Sequence, residues 1–287
     1  MMETHLISFG GSTVTVEYSG EAARGIVEMI LADVAPVLGT RQYVNASHWT
    51  IRLVSVAAAP VQSFEGVSGA ALRALGQVTP EVVLGRLCYQ LANRSHGGLL
   101  FHAAGLGHVG RGLLLPGMME AGKTTLTAWL LAQGYTYTYL TDELVFVSEG
   151  SAQIQAFTRP LNLRADGLSA LQAALAIDLS DLLPRDGATA LVAPRRFGSG
   201  QVHNEAVLDA IIFPCFVAGS PLSFTPLSKA ETGLALMECL INARNLPQHG
   251  FPEVVRLARS VPAYRLQYGS FSQLEGWFVE ALMEKVM

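Results

Sequence analysis

Gly117-Met118-Met119-Glu120-Ala121-Gly122-Lys123-Thr124 fits the pattern G-x-x-x-x-G-K-T, the spacing of a phosphate-binding loop of the Walker A kind. Glycines at both ends of such a loop let the backbone curl until successive N–H groups point inward at a polyphosphate, a path that bulkier residues would strain. Lys123 is expected to reach the β- and γ-phosphates, and Thr124 to offer a hydroxyl to Mg2+. The helix that opens here aims the positive end of its dipole at the same anion. Gly117, Glu120, Ala121, Gly122, Lys123, Thr124 and Thr125 are therefore the expected nucleotide-binding residues, with ATP and Mg2+ as the expected cofactors.

Both flanks that the motif requires are legible. Gly112-Leu113-Leu114-Leu115 is a short apolar run of buried-strand type. Beyond the loop, Leu126, Trp129 and Leu130 fall at helical spacing, and Gly134 stands where a left-handed cap would end the helix.

The chain has 287 residues, 50% hydrophobic and 15% charged, which is globular and not disordered. Its net charge of −4 and the absence of a basic cluster at either end recommend neither a nucleic-acid nor a membrane-surface partner. Only three lysines occur against sixteen arginines, so Lys123 is conspicuous. Cys88, Cys215 and Cys239 lie far apart in apolar runs without metal-ligand spacing and are expected as reduced core residues. The N-terminus does not read as a secretory signal, and a cytoplasmic location is expected. The oligomeric state is left open, a homo-oligomer included.

After the loop helix, Tyr135-Thr136-Tyr137-Thr138-Tyr139-Leu140 is an unbroken run of β-formers ending at Thr141-Asp142-Glu143. A metal held between phosphates needs a second hard oxygen anchor, and Asp142 stands where one is needed. Glu143 is the candidate to orient or deprotonate an acceptor hydroxyl or water. His102 ends the strand Leu99-Leu100-Phe101-His102-Ala103-Ala104, which precedes the loop, and joins the catalytic candidates with Lys123. Only one helix and one strand fit between Thr124 and Asp142, which favours a compact kinase over motor-type and transporter-type ATPases. Arg159 is either a substrate or phosphate contact or a surface arginine capping a strand; Arg195 and Arg196 form a second such candidate.

The order Leu100-Phe101-His102-Ala103-Ala104, then Gly117 to Thr125, then Leu140-Thr141-Asp142-Glu143-Leu144-Val145 resembles the bacterial HPr serine kinase/phosphorylase superfamily, whose core is similar to that of phosphoenolpyruvate carboxykinase. The resemblance implies that Asp142 or Glu143 takes the acid/base and metal roles, with His102 beside them. Val261 to Gly269 looks like the late strand of HPr-kinase-related proteins found beside peptide-modifying enzymes in bacterial biosynthetic cassettes. Met119-Glu120 replaces the family's Ser-Gly, Glu143 replaces the second Asp of its acidic pair, and its downstream glycine- and arginine-containing signature is missing. Neither phosphorylase activity nor HPr as substrate is therefore implied.

The rest of the chain supplies the frame. Residues 5–18 read as a hairpin turning at Gly10-Gly11, residues 21–34 as a helix and residues 49–54 as a strand. Residues 58–78 read as a linker or mobile loop, and Thr79-Pro80-Glu81 as the start of a helix with Leu84, Leu87, Cys88 and Leu91 on its buried face. Strands are expected over 145–147, 154–157, 207–213 and 222–224. Residues 178–200 read as a long substrate-closing loop. Ser228-Lys229-Ala230-Glu231 reads as a capping box on a helix reaching about Ala243, followed by helices over 253–259 and 274–283.

The expected fold is α/β: a P-loop kinase core of the HPr kinase and PEP carboxykinase type over residues 95–287, a mixed central sheet with flanking helices, plus an N-terminal α/β extension over 1–94. The expected function is ATP- and Mg2+-dependent transfer of the γ-phosphate to a Ser or Thr hydroxyl of a peptide or small-protein acceptor, in line with the resemblance to biosynthetic-cassette proteins. A P-loop NTPase and a nucleotide-binding regulatory module without an acceptor are the alternatives.

Overall fold

The alternation at the N-terminus forms its hairpin. β1 (Glu3–Phe9) and β2 (Ser12–Ser19) pair antiparallel around Gly10 and Gly11, both at positive φ. α1 (Glu21–Leu31) follows, then β3 (His48–Val56), parallel to β2, and β4 (Ala59–Phe64), antiparallel to β3. The computed structural model describes residues 1–34, 48–56, 59–64, 79–108, 110–134, 137–182, 189–198 and 205–275. Residues 59–64, expected as part of a linker, are thus a strand; Pro60 is tolerated because β4 is the edge of this four-stranded sheet. The remainder of that stretch, 65–78, lies outside the described residues. α2 (Pro80–Asn93) starts as expected, with the Thr79 hydroxyl accepting from the Val82 amide and Pro80 in the first turn.

The larger sheet holds the loop. β5 (Gly98–His108) and β6 (Arg111–Pro116) pair antiparallel, and β6 pairs on its other side with the parallel β12 (Glu205–Phe216). β14 (Ala263–Tyr268) lies parallel to β12, and β13 (Ser223–Pro226) closes that edge antiparallel. On the far side of β5 run β7 (Tyr137–Thr141) and β8 (Leu144–Ser148), both antiparallel to it. They form one path interrupted only at Asp142 and Glu143. β9 (Gln153–Gln155) pairs with both β8 and β12, so five strands join into a closed ring.

Period two along β6 decides what packs where. Leu113 and Leu115 face a cluster built with α3 (Lys123–Ala132) and α4 (Ala165–Leu175), including Leu126, Trp129, Leu168 and Leu171. Leu114 faces the opposite cluster, covered by α5 (Lys229–Cys239) and α6 (Phe251–Ser260) through Leu236, Val254 and Leu257. A third cluster joins the N-terminal sheet, α1 and α2 to Leu100, Leu144, Phe146 and Phe157. Leu84, Leu87, Cys88 and Leu91 are buried in it, as their spacing requires. The architecture is mixed α/β, a central mixed sheet with flanking helices.

Three further expectations change. Residues 189–192 of the expected long loop are β11 (Thr189–Val192), paired with β10 (Leu161–Arg164); residues 183–188 and 199–204 lie outside the described residues. α5 opens on the Ser228 capping box but ends at Cys239, short of Ala243. There the chain leaves the helix to pair Leu240 with Phe101 and to donate the Ile241 amide to the Leu100 carbonyl at 2.8 Å, filling the open side of β5. Of the helix expected over 274–283, Leu274 and Glu275 are described but not helical, and the remainder lies outside the described residues. All three cysteines are free; Cys88 and Cys239 are buried and Cys215 is half-buried. Among the described residues no helix is long and apolar enough to cross a membrane.

Candidate functional site

The loop leaves β6 at Pro116 and enters α3 at Lys123. Gly122 has φ 87° and ψ 10°, a left-handed turn that a residue without Cβ adopts at no steric cost. Glu120 also has positive φ, and its exposed carboxylate accepts from Arg164 at 2.5 Å. That ion pair turns the loop's extra acid toward the start of α4. Lys123 is buried, and its ammonium donates to the carbonyls of Gly117 (2.8 Å) and Met118 (2.9 Å). Burial is the main cause that lowers its pKa, with Asp142 and Glu143 opposing. Thr125, two residues further on, sits against Gly167 of α4, where a β-carbon would come within 2.9 Å of its hydroxyl.

Strand register brings the acids to this loop. Gly105 of β5 pairs with Leu114 of β6 on one side and Thr141 of β7 on the other, so Asp142 emerges beside the end of β6. The Thr124 hydroxyl donates to Asp142 Oδ2 at 2.9 Å. Asp142 is 1% exposed, and its Oδ1 has no hydrogen-bond partner. Desolvation is the main cause that raises its pKa, helped by Glu143 and opposed by Arg159, Thr124 and Lys123. Glu143 has positive φ, which holds its side chain out of the strand path. The Thr141 hydroxyl bridges the interruption by donating to the Leu144 carbonyl at 2.7 Å.

His102, Glu143 and Arg159 meet around that interruption. His102 Nε2 is 3.5 Å from Glu143 Oε1, and Arg159 Nη1 is 3.9 Å from Glu143 Oε2. The His102 carbonyl accepts the Gly117 amide at 3.3 Å, tying this strand to the first residue of the loop. Burial and the Lys123 charge push the His102 pKa down against Glu143, which leaves the imidazole neutral at pH 7. Arg159 is buried, held by its Nε donating to the Pro160 carbonyl at 3.2 Å, while the Tyr139 hydroxyl donates to the Arg159 carbonyl. Burial alone would lower this guanidinium, but Cys88, Asp142, Tyr139 and Glu143 outweigh it and hold it charged. A position beneath Glu143 differs from that of a surface strand cap. Arg195 and Arg196 are instead taken up in ion pairs with Asp33 and Asp181.

A cleft of about 330 Å³ opens at Glu143. Glu143 and Arg159 form one end, and α2 forms a wall with Glu81, Leu84, Cys88 and Tyr89. The spacing of these α2 residues is that of one helical stripe. The buried face of α2 is legible in sequence, but that Tyr89 lines a cleft with Glu143 is not, because nothing local says that this stripe faces the acid.

Two hard oxygens, the Thr124 hydroxyl and the unpartnered Asp142 Oδ1, suit Mg2+, which takes few protein ligands and completes its shell with phosphate and water. Among the described residues no group of three or more His, Cys, Asp or Glu could hold a metal ion by itself. The donor set fits a metal brought with a polyphosphate.

No family model matches the chain, and no curated protein matches it. Among solved structures it is similar to the Hpr(Ser) kinase/phosphatase from Coxiella burnetii, at 13% identity over 65% of this chain and 94% of that chain, with a TM-score of 0.31.

Proposed function

We propose that the chain is an ATP- and Mg2+-dependent phosphotransferase that moves the γ-phosphate to a Ser or Thr hydroxyl of a peptide or small protein. The observation that carries this reading is the contact between the Thr124 hydroxyl and Asp142, whose second oxygen is buried without a partner. A buried, half-satisfied carboxylate costs stability, and its position next to a phosphate loop gives that cost a use. The order of histidine strand, loop and acidic pair, which resembles that of the HPr serine kinase/phosphorylase superfamily, supports the same reading.

The loop amides and Lys123 hold the β- and γ-phosphates, Lys123 exchanging the Gly117 and Met118 carbonyls for phosphate oxygens. Thr124 and Asp142 would hold Mg2+, which would supply charge neutralisation on the phosphates. The acceptor lies in the cleft against α2 with its hydroxyl at Glu143. Its proton passes to the Glu143 carboxylate as its oxygen bonds the γ-phosphorus. The bond from that phosphorus to the β,γ-bridging oxygen breaks, and ADP leaves. Arg159 is charged beneath Glu143 and orients that carboxylate, and neutral His102 flanks it.

A second reading has its own observation. The Glu143 side chain is 48% exposed, so water reaches the place where the acceptor hydroxyl would stand, and a P-loop NTPase would use the same residues. Following the γ-phosphate of labelled ATP with Mg2+, in wild type and Asp142→Asn, with small proteins and peptides of the source cell, separates the two. Label on an acceptor, lost in the variant, supports the phosphotransferase; label appearing only as free phosphate supports the NTPase. Label left on ATP under every condition overturns both.

A further inference from the structure

Asp142 and Glu143 approach the phosphate loop from one side of β6. β6 carries β5, β7 and Asp142 to one side and the parallel strands β12 and β14 to the other. Ligands of parallel sheets lie beyond the carboxyl ends of the strands, so a nucleotide with its phosphates in this loop has the ends of β12 and β14 before it. β12 ends at Phe216, which pairs with Tyr268 at the end of β14.

An aromatic stack is built there. Phe216 is 44% exposed at the end of a core strand. Tyr268 holds it edge-on, with ring centroids 5.4 Å apart and planes at 63°. Tyr268 rests on Phe271 at 5.9 Å, and Phe271 stacks on Trp129 of α3 at 5.6 Å and 13°. The series therefore runs from the buried face of the loop's own helix out to one exposed ring. Its backbone is pinned as well: the Val217 amide donates to the Tyr268 carbonyl at 3.0 Å, and Gln273 ties Ser220 to Gly269.

The stack also touches the loop. A β-carbon at Gly122 would stand 3.1 Å from the Tyr268 hydroxyl and 3.3 Å from the Phe216 Cβ. A ring fixed in place, exposed and adjoining a phosphate loop is a surface on which a flat base can stack.

We infer that Phe216, backed by Tyr268, is the platform for the base of a nucleoside polyphosphate whose phosphates lie in the Gly117–Thr124 loop. This rests on the loop being a phosphate site and adds the subsite that selects a nucleotide over a bare polyphosphate. Glu143 and the α2 cleft, on the other side of the loop, are left to the acceptor.

Calorimetric titration of the full chain with ATP and, separately, with inorganic tripolyphosphate, each with Mg2+, tests it. Phe216→Ala should weaken ATP about tenfold, the scale of one base-on-aromatic stack, and leave tripolyphosphate within twofold of wild type. Phe216→Tyr and Phe216→Trp should keep wild-type ATP affinity. Unchanged ATP affinity in Phe216→Ala overturns the platform. So does an equal loss for both ligands, which would make Phe216 a prop for the loop, and so does a wild-type chain that binds tripolyphosphate but not ATP. A wild-type chain that binds neither overturns the phosphate-loop reading and this subsite with it.

Discussion

Thr124 and Asp142 are joined by a 2.9 Å hydrogen bond between the first turn of the loop helix and the end of β7, and the other oxygen of the same carboxylate is buried without a partner. That pairing satisfies half of a charge that the fold has removed from water. The unmet half makes Asp142 costly as structure and useful as a ligand.

Asp142→Asn should therefore lose Mg2+-dependent turnover yet gain stability. Burial raises the Asp142 pKa, so the folded chain holds this proton more tightly than the unfolded one. The stability gained from that proton is complete below the unfolded carboxylate value of about 3.9 and is lost as pH rises through the raised folded value. Asparagine is neutral throughout and still accepts from Thr124. In thermal melts without ligand, Asp142→Asn should melt above wild type at pH 7, with the gap closing as pH falls through the raised folded value and fully closed below about 4. A variant that melts lower at every pH would show that the carboxylate is structural.

Lys123→Ala removes an ammonium that is buried between two loop carbonyls. Loss of a charge-assisted contact to phosphate is expected to cost about 2 kcal/mol, near thirtyfold in ATP affinity. Calorimetry measures it, with the melting curve checking that the loop still folds. An unaltered ATP affinity would count against Lys123 as a phosphate ligand.

Glu143→Gln keeps the shape of the side chain and removes its capacity to accept a proton. Acceptor phosphorylation should fall about 100-fold or more, the scale of general-base catalysis, while ATP affinity holds. Single-turnover transfer set beside a binding titration reads the two separately. Equal losses in both would assign Glu143 to nucleotide binding.

Asn242→Ala tests the frame and not the chemistry. The Asn242 side chain accepts from the Leu100 amide at 2.9 Å and donates to the carbonyls of Gly98 (3.0 Å) and Ser95 (3.3 Å), in the interior beside the strand that carries His102. Truncation leaves the buried Leu100 amide and Gly98 carbonyl without this partner, while Asn245 still donates to the Ser95 carbonyl, and should cost about 3 kcal/mol in denaturant unfolding. A loss under about 0.5 kcal/mol, the level of a surface substitution, would mean that water replaces these bonds.

The local grammar of the chain was legible in its residues. G-x-x-x-x-G-K-T with an apolar strand before it and a helical stripe after it defines the loop between β6 and α3; Thr79-Pro80 and Ser228 mark helix starts because their hydroxyls accept amides only a turn away. Where signals were weak, the reading erred: residues 59–64 and 189–192 are short strands whose partners, β3 and β10, supply the order that their own composition does not. The end of α5 moved for the same reason, since Leu240 and Ile241 answer to the open side of β5.

What tertiary structure alone decided is which loop ends meet. Period and capping report faces and termini, whereas the register of non-local strand pairs sets what stands opposite what. Gly105 between Leu114 and Thr141 brings Asp142 to Thr124, and the packing of α2 on Leu144 and Phe146 opens a cleft at Glu143. The pairing of Phe216 with Tyr268 sets an exposed ring beside Gly122. The pairing of Asp142 with Thr124 was expected from the motif and its spacing, and register supplies its geometry; the cleft against α2 and the ring beside Gly122 join segments far apart in the chain that no local pattern links.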